Sequence, residues 1–263
     1  MQFKPILTFV LPISIIMWQT SYRPDILAPE KSDALIPQSN TFRGVVEDIQ
    51  SPPGFERVPE NKKSFASWLR SIPLSTDNTV YLFNGAPKHN QQAQYAVLDI
   101  PVGKKDLQQC ADAVMRLRAQ YLRDNGLTDL ISFSDNAGKK YQCPEGAGDL
   151  QFERYLETVF SYCGTLSLEK QLRKVPRFDE ISCGDVLIKG GSPGHAVIVV
   201  DVVTNRSGKK MYMLAQSYMP AQSIHILKNP IRADNSPWYD ASGVLTVINT
   251  PEWTFDRNQL RRW

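Results

Sequence analysis

The stretch that most constrains the fold runs from Cys183 to Tyr218, CGDVLIKGGSPGHAVIVVDVVTNRSGKKMYMLAQSY. It reads as consecutive β-strands. Val186-Leu187-Ile188 is a short apolar run, and Lys189 to Gly194 is a turn cluster. His195 then opens a run to Val203 that is dense in β-branched residues, which pack well on a pleated surface. Asn205-Arg206-Ser207-Gly208 makes a second turn, and Met211 to Tyr218 a third strand. Period-two alternation predicts His195, Val197, Val199 and Asp201 on one face. A histidine at the first residue of such a strand, behind a glycine-rich loop, has its ring at the sheet end, within reach of a cleft.

The chain around this sheet has 263 residues, of which 42% are hydrophobic, enough to bury a substantial core. A net charge of +3 with no long basic block, zinc-knuckle pattern or phosphate-binding glycine loop argues against a nucleic-acid partner. No motif calls for a cofactor. Three scattered histidines have no metal-ligand spacing. Met1-Gln2-Phe3-Lys4 followed by the apolar run Ile6 to Trp18 has the length of a signal-peptide core. The expectation is an exported protein of the periplasm or cell envelope. Residues 1–21 form a signal peptide or an uncleaved anchor, the latter being its one route to a membrane. The proline-bearing residues 22–45 read as a linker, and 46–263 as a single α+β domain.

Elsewhere the pattern predicts a short helix over 64–70 and a hairpin of strands 78–83 and 94–100. The clearest helix is 106–124, with Asp106 as N-cap and Gln109 completing a capping box. A strand at 130–133, a polar loop over 134–148, helices at 150–162 and 165–172, and strands at 224–227 and 243–248 complete the reading.

Gly184-Asp185 opening a strand, followed by a loop and then Gly194-His195 beginning the next, resembles the histidine half of the NlpC/P60 and CHAP cell-wall peptidases. That resemblance implies a papain-like core, a helix packed on an antiparallel sheet. It puts the family's third polar residue at Gln216. The chain also looks like a member of an uncharacterised family of exported bacterial proteins, through 106–118, 164–168 and 184–201; that likeness supplies no function.

A papain-type site needs a thiol at a helix N-terminus, where the free N–H groups lower its pKa, facing a histidine that takes its proton. Cys110 lies in the first turn of the best helix and precedes His195 in the order the family uses. Gln216 would accept from the ring at Nδ1. Gln108, Gln109 or the Cys110 backbone N–H are the oxyanion donors, and Asp185 is a supporting residue or a strand-start turn residue. The family's cysteine stands in an Asp-Cys-Ser-Gly-like context, whereas here it is Gln109-Cys110-Ala111-Asp112. Cys110 also falls on the apolar stripe, so a core or disulfide role stands beside the catalytic one.

Cys163, at a helix C-terminal end, is the second candidate thiol. Cys143 reads as exposed or as a disulfide partner, and Cys183 as a partner for Cys143 or Cys163. His225 reads as structural and His89 as solvated. Lys88, Lys104, Lys105 and Arg116 line a cleft for an anion or form a solvated face, and Trp238, Tyr239 and Trp253 wall a groove or pack in the core. The functional expectation is cysteine-dependent hydrolysis of cell-wall peptides. The alternative on the same fold is a non-enzymatic module that binds envelope peptide or glycan, or a disulfide-stabilised structural protein.

Overall fold

The computed structural model describes residues 44–242 and 246–263. The apolar run 6–18 and most of the 22–45 segment lie outside the described residues, as does part of the 243–248 strand. The elements follow in order: β1 (Phe55–Arg57), α1 (Phe65–Arg70), β2 (Gln94–Val97), α2 (Cys110–Asp124), β3 (Ser132–Ser134), β4 (Lys140–Gln142), α3 (Asp149–Tyr162) and α4 (Thr165–Gln171). Then come β5 (Arg173–Lys174), β6 (Val186–Lys189), β7 (His195–Asn205), β8 (Lys210–Gln216), β9 (His225–Leu227), β10 (Tyr239–Asp240), β11 (Val247–Asn249), β12 (Thr254–Asp256) and β13 (Leu260–Arg262). The fold is mixed α+β: an antiparallel sheet ordered β2-β9-β8-β7-β6-β13-β5, with four helices.

The β-branched run makes β7 the axis of this sheet. It is long enough to pair with β8 along one edge and with β6 and then β1 along the other. Alternation sends Ala196, Ile198 and Val200 into a core under α1, α2, α3 and α4. Val197, Val199 and Val202 enter a second core, closed by Phe178, Ile248, Phe255 and Leu260. Each such aliphatic side chain contributes about 1.5–3 kcal/mol by leaving water. Asp201 does not share the face of Val199, as alternation predicts. The register slips between Val199 and Asp201, and this bulge turns Asp201 to the helix side. There its carboxylate, fully buried, accepts from Arg57 Nε at 2.7 Å and Arg70 Nε at 2.6 Å.

The expected hairpin at 78–83 does not form. Leu82 N–H donates to Ala86 O in a tight loop around Asn84-Gly85, with Gly85 at φ +83°. β2 pairs instead with β9, Gln94 facing Leu227, 133 residues further along the chain. The expected polar loop 134–148 contains β4, paired with β3. Helix α2 begins at Cys110, four residues later than predicted. Asp106 is not its N-cap; that position is Gln109, and Asp106 Oδ1 accepts instead from Ala221 N–H at 2.6 Å. Asp112 supplies the first-turn acid, its Oδ2 accepting from Gln109 N–H at 3.0 Å. Among the described residues no helix is long and apolar enough to cross a membrane.

Candidate active site

The later start of α2 puts Cys110 at its first residue, where backbone N–H groups lack partners within the helix. The backbone N–H groups of Cys110, Ala111 and Ala196, the last one residue beyond His195, favour the thiolate. Cys110 and His195 line the same cleft of about 480 Å³. Its other walls are Asp106, Gln109 and Asp112 from the start of α2, Cys163 and Thr165 from the α3–α4 junction, the 191–194 loop, and Tyr218 and Trp253.

Two features fix the histidine. The glycine loop is clamped by α4: Thr165 Oγ1 donates to Gly191 O at 3.2 Å, and Gly190 N–H donates to Glu169 Oε2 at 2.9 Å. Gly194 has no room for a side chain. A Cβ there would come within 2.3 Å of Gly191 O and 2.6 Å of Thr165 Oγ1. The ring is then packed by Tyr218, Trp253 and Phe255, with centroids 4.7, 5.3 and 5.7 Å away. Gln216, on the neighbouring strand, meets the ring through Oε1 at 2.9 Å. The nitrogen it meets is Nε2, where Nδ1 was expected.

Behind Gln216 lies a buried polar network. Gln216 Nε2 donates to Glu252 Oε2 at 2.8 Å, and Lys88 Nζ reaches the same oxygen at 2.6 Å. Asn90 Nδ2 donates to Glu252 Oε1 at 3.2 Å. His225, paired opposite Gln216, sits at 3.5 Å from the Gln216 amide nitrogen and at 2.8 Å from Ser223 O through Nδ1. Glu252 carries no signal in the sequence. It lies in the short turn between β11 and β12, joined to the site only by tertiary packing.

Burial sets the protonation states. It pushes the Cys110 thiol up to about 11, with the Asp112 charge adding to the effect and the three N–H groups opposing it. The helix N-terminus was expected to lower this thiol; desolvation outweighs it. Burial likewise takes the His195 ring down to about 4, against the opposing pull of Gln216 and Glu252. The resting pair is a neutral thiol beside a neutral imidazole. Asp112 is raised well above the carboxylate range by the same desolvation.

The remaining candidates separate. Gln109 lines the cleft, its Nε2 donating to Asp106 Oδ1 at 3.1 Å. Gln108 is buried, with both side-chain polar atoms unpartnered, and does not line the cleft. Asp185 is not part of the site. Its carboxylate accepts from Arg262 Nε at 2.6 Å and Ser182 N–H at 2.9 Å, at the end of β6 remote from His195, and ties β13 to the sheet. All four cysteines are free thiols. Cys163 caps α3, and its thiol is pushed up to about 11 by burial; Cys143 is buried and not exposed. Lys88, Lys105 and Arg116 are spent on Glu252, Glu157 and Glu153 and do not line the cleft. Trp238 and Tyr239 are core residues, and Trp253 alone of the three aromatics reaches the cleft. His89 is exposed and His225 fully buried.

No curated protein and no solved structure matches this chain. A family model described as Domain of unknown function (4846) matches residues 45–146 and 135–262. The matched segments contain Cys110, His195, Gln216 and Glu252 and run through nearly all of the described fold, so the chain belongs to the Domain of unknown function (4846) family.

Proposed function

We propose that the protein is a papain-like cysteine hydrolase that cleaves amide bonds in cell-wall peptides of the envelope. The observation that carries the reading is one cleft holding a helix-start thiol and a strand-start imidazole whose Nε2 is anchored by Gln216. Cys110 Sγ attacks the scissile carbonyl carbon as its proton passes to His195 Nδ1. The carbonyl oxygen gains the negative charge, and in this reading the Cys110 backbone N–H and the second N–H of Gln109 Nε2 donate to it. Collapse breaks the C–N bond, and His195 returns the proton to the leaving amine. Water, deprotonated by His195, then hydrolyses the thioester and regenerates the thiol. Because thiol and ring start neutral, the proton moves during attack.

The peptide substrate is supported by the cleft's volume of about 480 Å³ and its aromatic walls Tyr218, Trp253 and Phe160. The envelope location rests on the N-terminal apolar run. The test is to incubate the protein with purified stem peptides and follow new termini by mass spectrometry. Cleavage by the wild type, absent in Cys110→Ala and His195→Ala, is the expected result. Stem peptides left intact by the wild type contradict it. The raised thiol favours one second reading, a cleft that binds envelope peptide without cutting it. Under that reading Cys110→Ala binds stem peptide as tightly as the wild type and neither turns it over.

A further inference from the structure

We propose that Glu252, held by Lys88, is a positioning residue that dictates which nitrogen of His195 carries the proton. The catalytic consequence rests on the Cys110–His195 reading above; the positioning itself does not. An amide side chain can turn over and present either oxygen or nitrogen, and an imidazole can carry its proton on either nitrogen. Gln216 therefore cannot orient His195 unless something orients Gln216.

Glu252 does so. Lys88 and Asn90 both donate to it, so its oxygens act as acceptors, and the group that Gln216 turns toward Oε2 must be its NH₂. The Gln216 oxygen is thereby forced toward His195, and only an N–H at Nε2 satisfies it at 2.9 Å. His225 agrees with this arrangement. Its Nδ1 faces the Ser223 carbonyl, which only accepts, so its Nε2 is an acceptor for the second Gln216 N–H. Each polar contact in the chain Lys88–Glu252–Gln216–His195 then has one allowed direction. The outcome is an unprotonated Nδ1, the state a base needs when the thiol proton arrives. The same chain turned round would leave Nδ1 protonated and unable to accept.

The test reads the tautomer in the resting protein, without substrate. Long-range ¹H–¹⁵N correlation of ¹⁵N-histidine-labelled protein at neutral pH, with the His195 signals assigned by His195→Asn, is expected to place the proton on Nε2. Glu252→Ala is expected to yield a mixture of tautomers and to slow acylation of Cys110 by an activated peptide ester about tenfold or more. Glu252→Gln is expected to keep the wild-type tautomer, because Lys88 holds the new amide oxygen where the carboxylate oxygen was. The Lys88→Met/Glu252→Gln double variant loses that hold and scrambles the tautomer, which tests the inference even if Glu252→Ala does not fold. A wild-type proton on Nδ1, or a Glu252→Ala protein that keeps the wild-type tautomer, overturns the inference. A tautomer that follows these variants in a protein that never acylates supports the positioning and counts against the hydrolase.

Discussion

Cys110, the first residue of α2, and His195, the first residue of β7, line the same cleft. Helix start and strand start thus meet at one point, 85 residues apart in the chain.

The raised thiol makes a definite pH prediction. With the Cys110 thiol at about 11, the thiolate fraction grows about tenfold per pH unit below that value. Alkylation of Cys110 by iodoacetamide is therefore expected to climb steadily from pH 7 to pH 10. Site-resolved mass spectrometry checks this, and a plateau below pH 8 would contradict it.

Stability is expected to fall on acidification. His195 and His225 both lie at about 4 in the folded protein, below their ordinary value of 6.5. Between those two pH values the unfolded chain binds the protons first, so each histidine withdraws up to about 1.4 kcal/mol per pH unit as pH falls. Asp112, raised in the folded protein, works in the opposite direction over part of this range. Urea denaturation from pH 7 to pH 4 should therefore show a shallower acid loss in His225→Asn than in the wild type, and equal losses would contradict the histidine contribution.

Gln216→Ala is expected to act twice. It leaves His195 Nε2 buried without its partner, at a cost of about 1–3 kcal/mol. It also frees the ring, and turnover should fall about a hundredfold. Paired denaturation and peptide-cleavage assays separate the two effects.

Arg262→Ala is expected to lower stability by about 3–5 kcal/mol, because it strands the Asp185 carboxylate, 1% exposed, without its cation. The protein that remains folded should cleave at the wild-type rate. A selective loss of activity would return Asp185 to the site.

Gly194→Ala is expected to disturb the cleft from the loop side. The new methyl group meets two backbone carbonyls and Thr165 Oγ1 at 2.3–2.8 Å, so the loop must move and carry His195 with it. Turnover should fall by about a hundredfold with only a modest change in melting temperature. Pairing Gly194→Ala with Thr165→Ala, which removes one of the three clashes, should restore little, since the carbonyls remain.

Local pattern made β6, β7, β8, α2 and α3 legible, because each carries its own periodicity and punctuation. The same pattern placed Cys110, His195 and Gln216 in chain order. Three things escaped it. The start of α2 falls four residues after the predicted one, and Asp106 turns instead to Ala221 N–H, a contact across 115 residues. The bulge at Val200 reverses the face of Asp201, which period-two counting cannot see. Glu252 reaches Gln216 only after the β11–β12 turn folds back over β8, and nothing beside it in the chain marks it as polar machinery. The burial that raises Cys110 is likewise a property of the assembled cores, so helix position alone misjudged the thiol.

The most direct test of the Cys110–His195 pair is acyl-enzyme trapping. Protein is mixed with an activated ester of a stem-peptide fragment, quenched in acid, and the acyl group mapped by mass spectrometry. The account predicts a thioester on Cys110, absent in Cys110→Ala and formed about a thousandfold more slowly in His195→Ala. An acyl group on another residue, or equal acylation in His195→Ala, would contradict it.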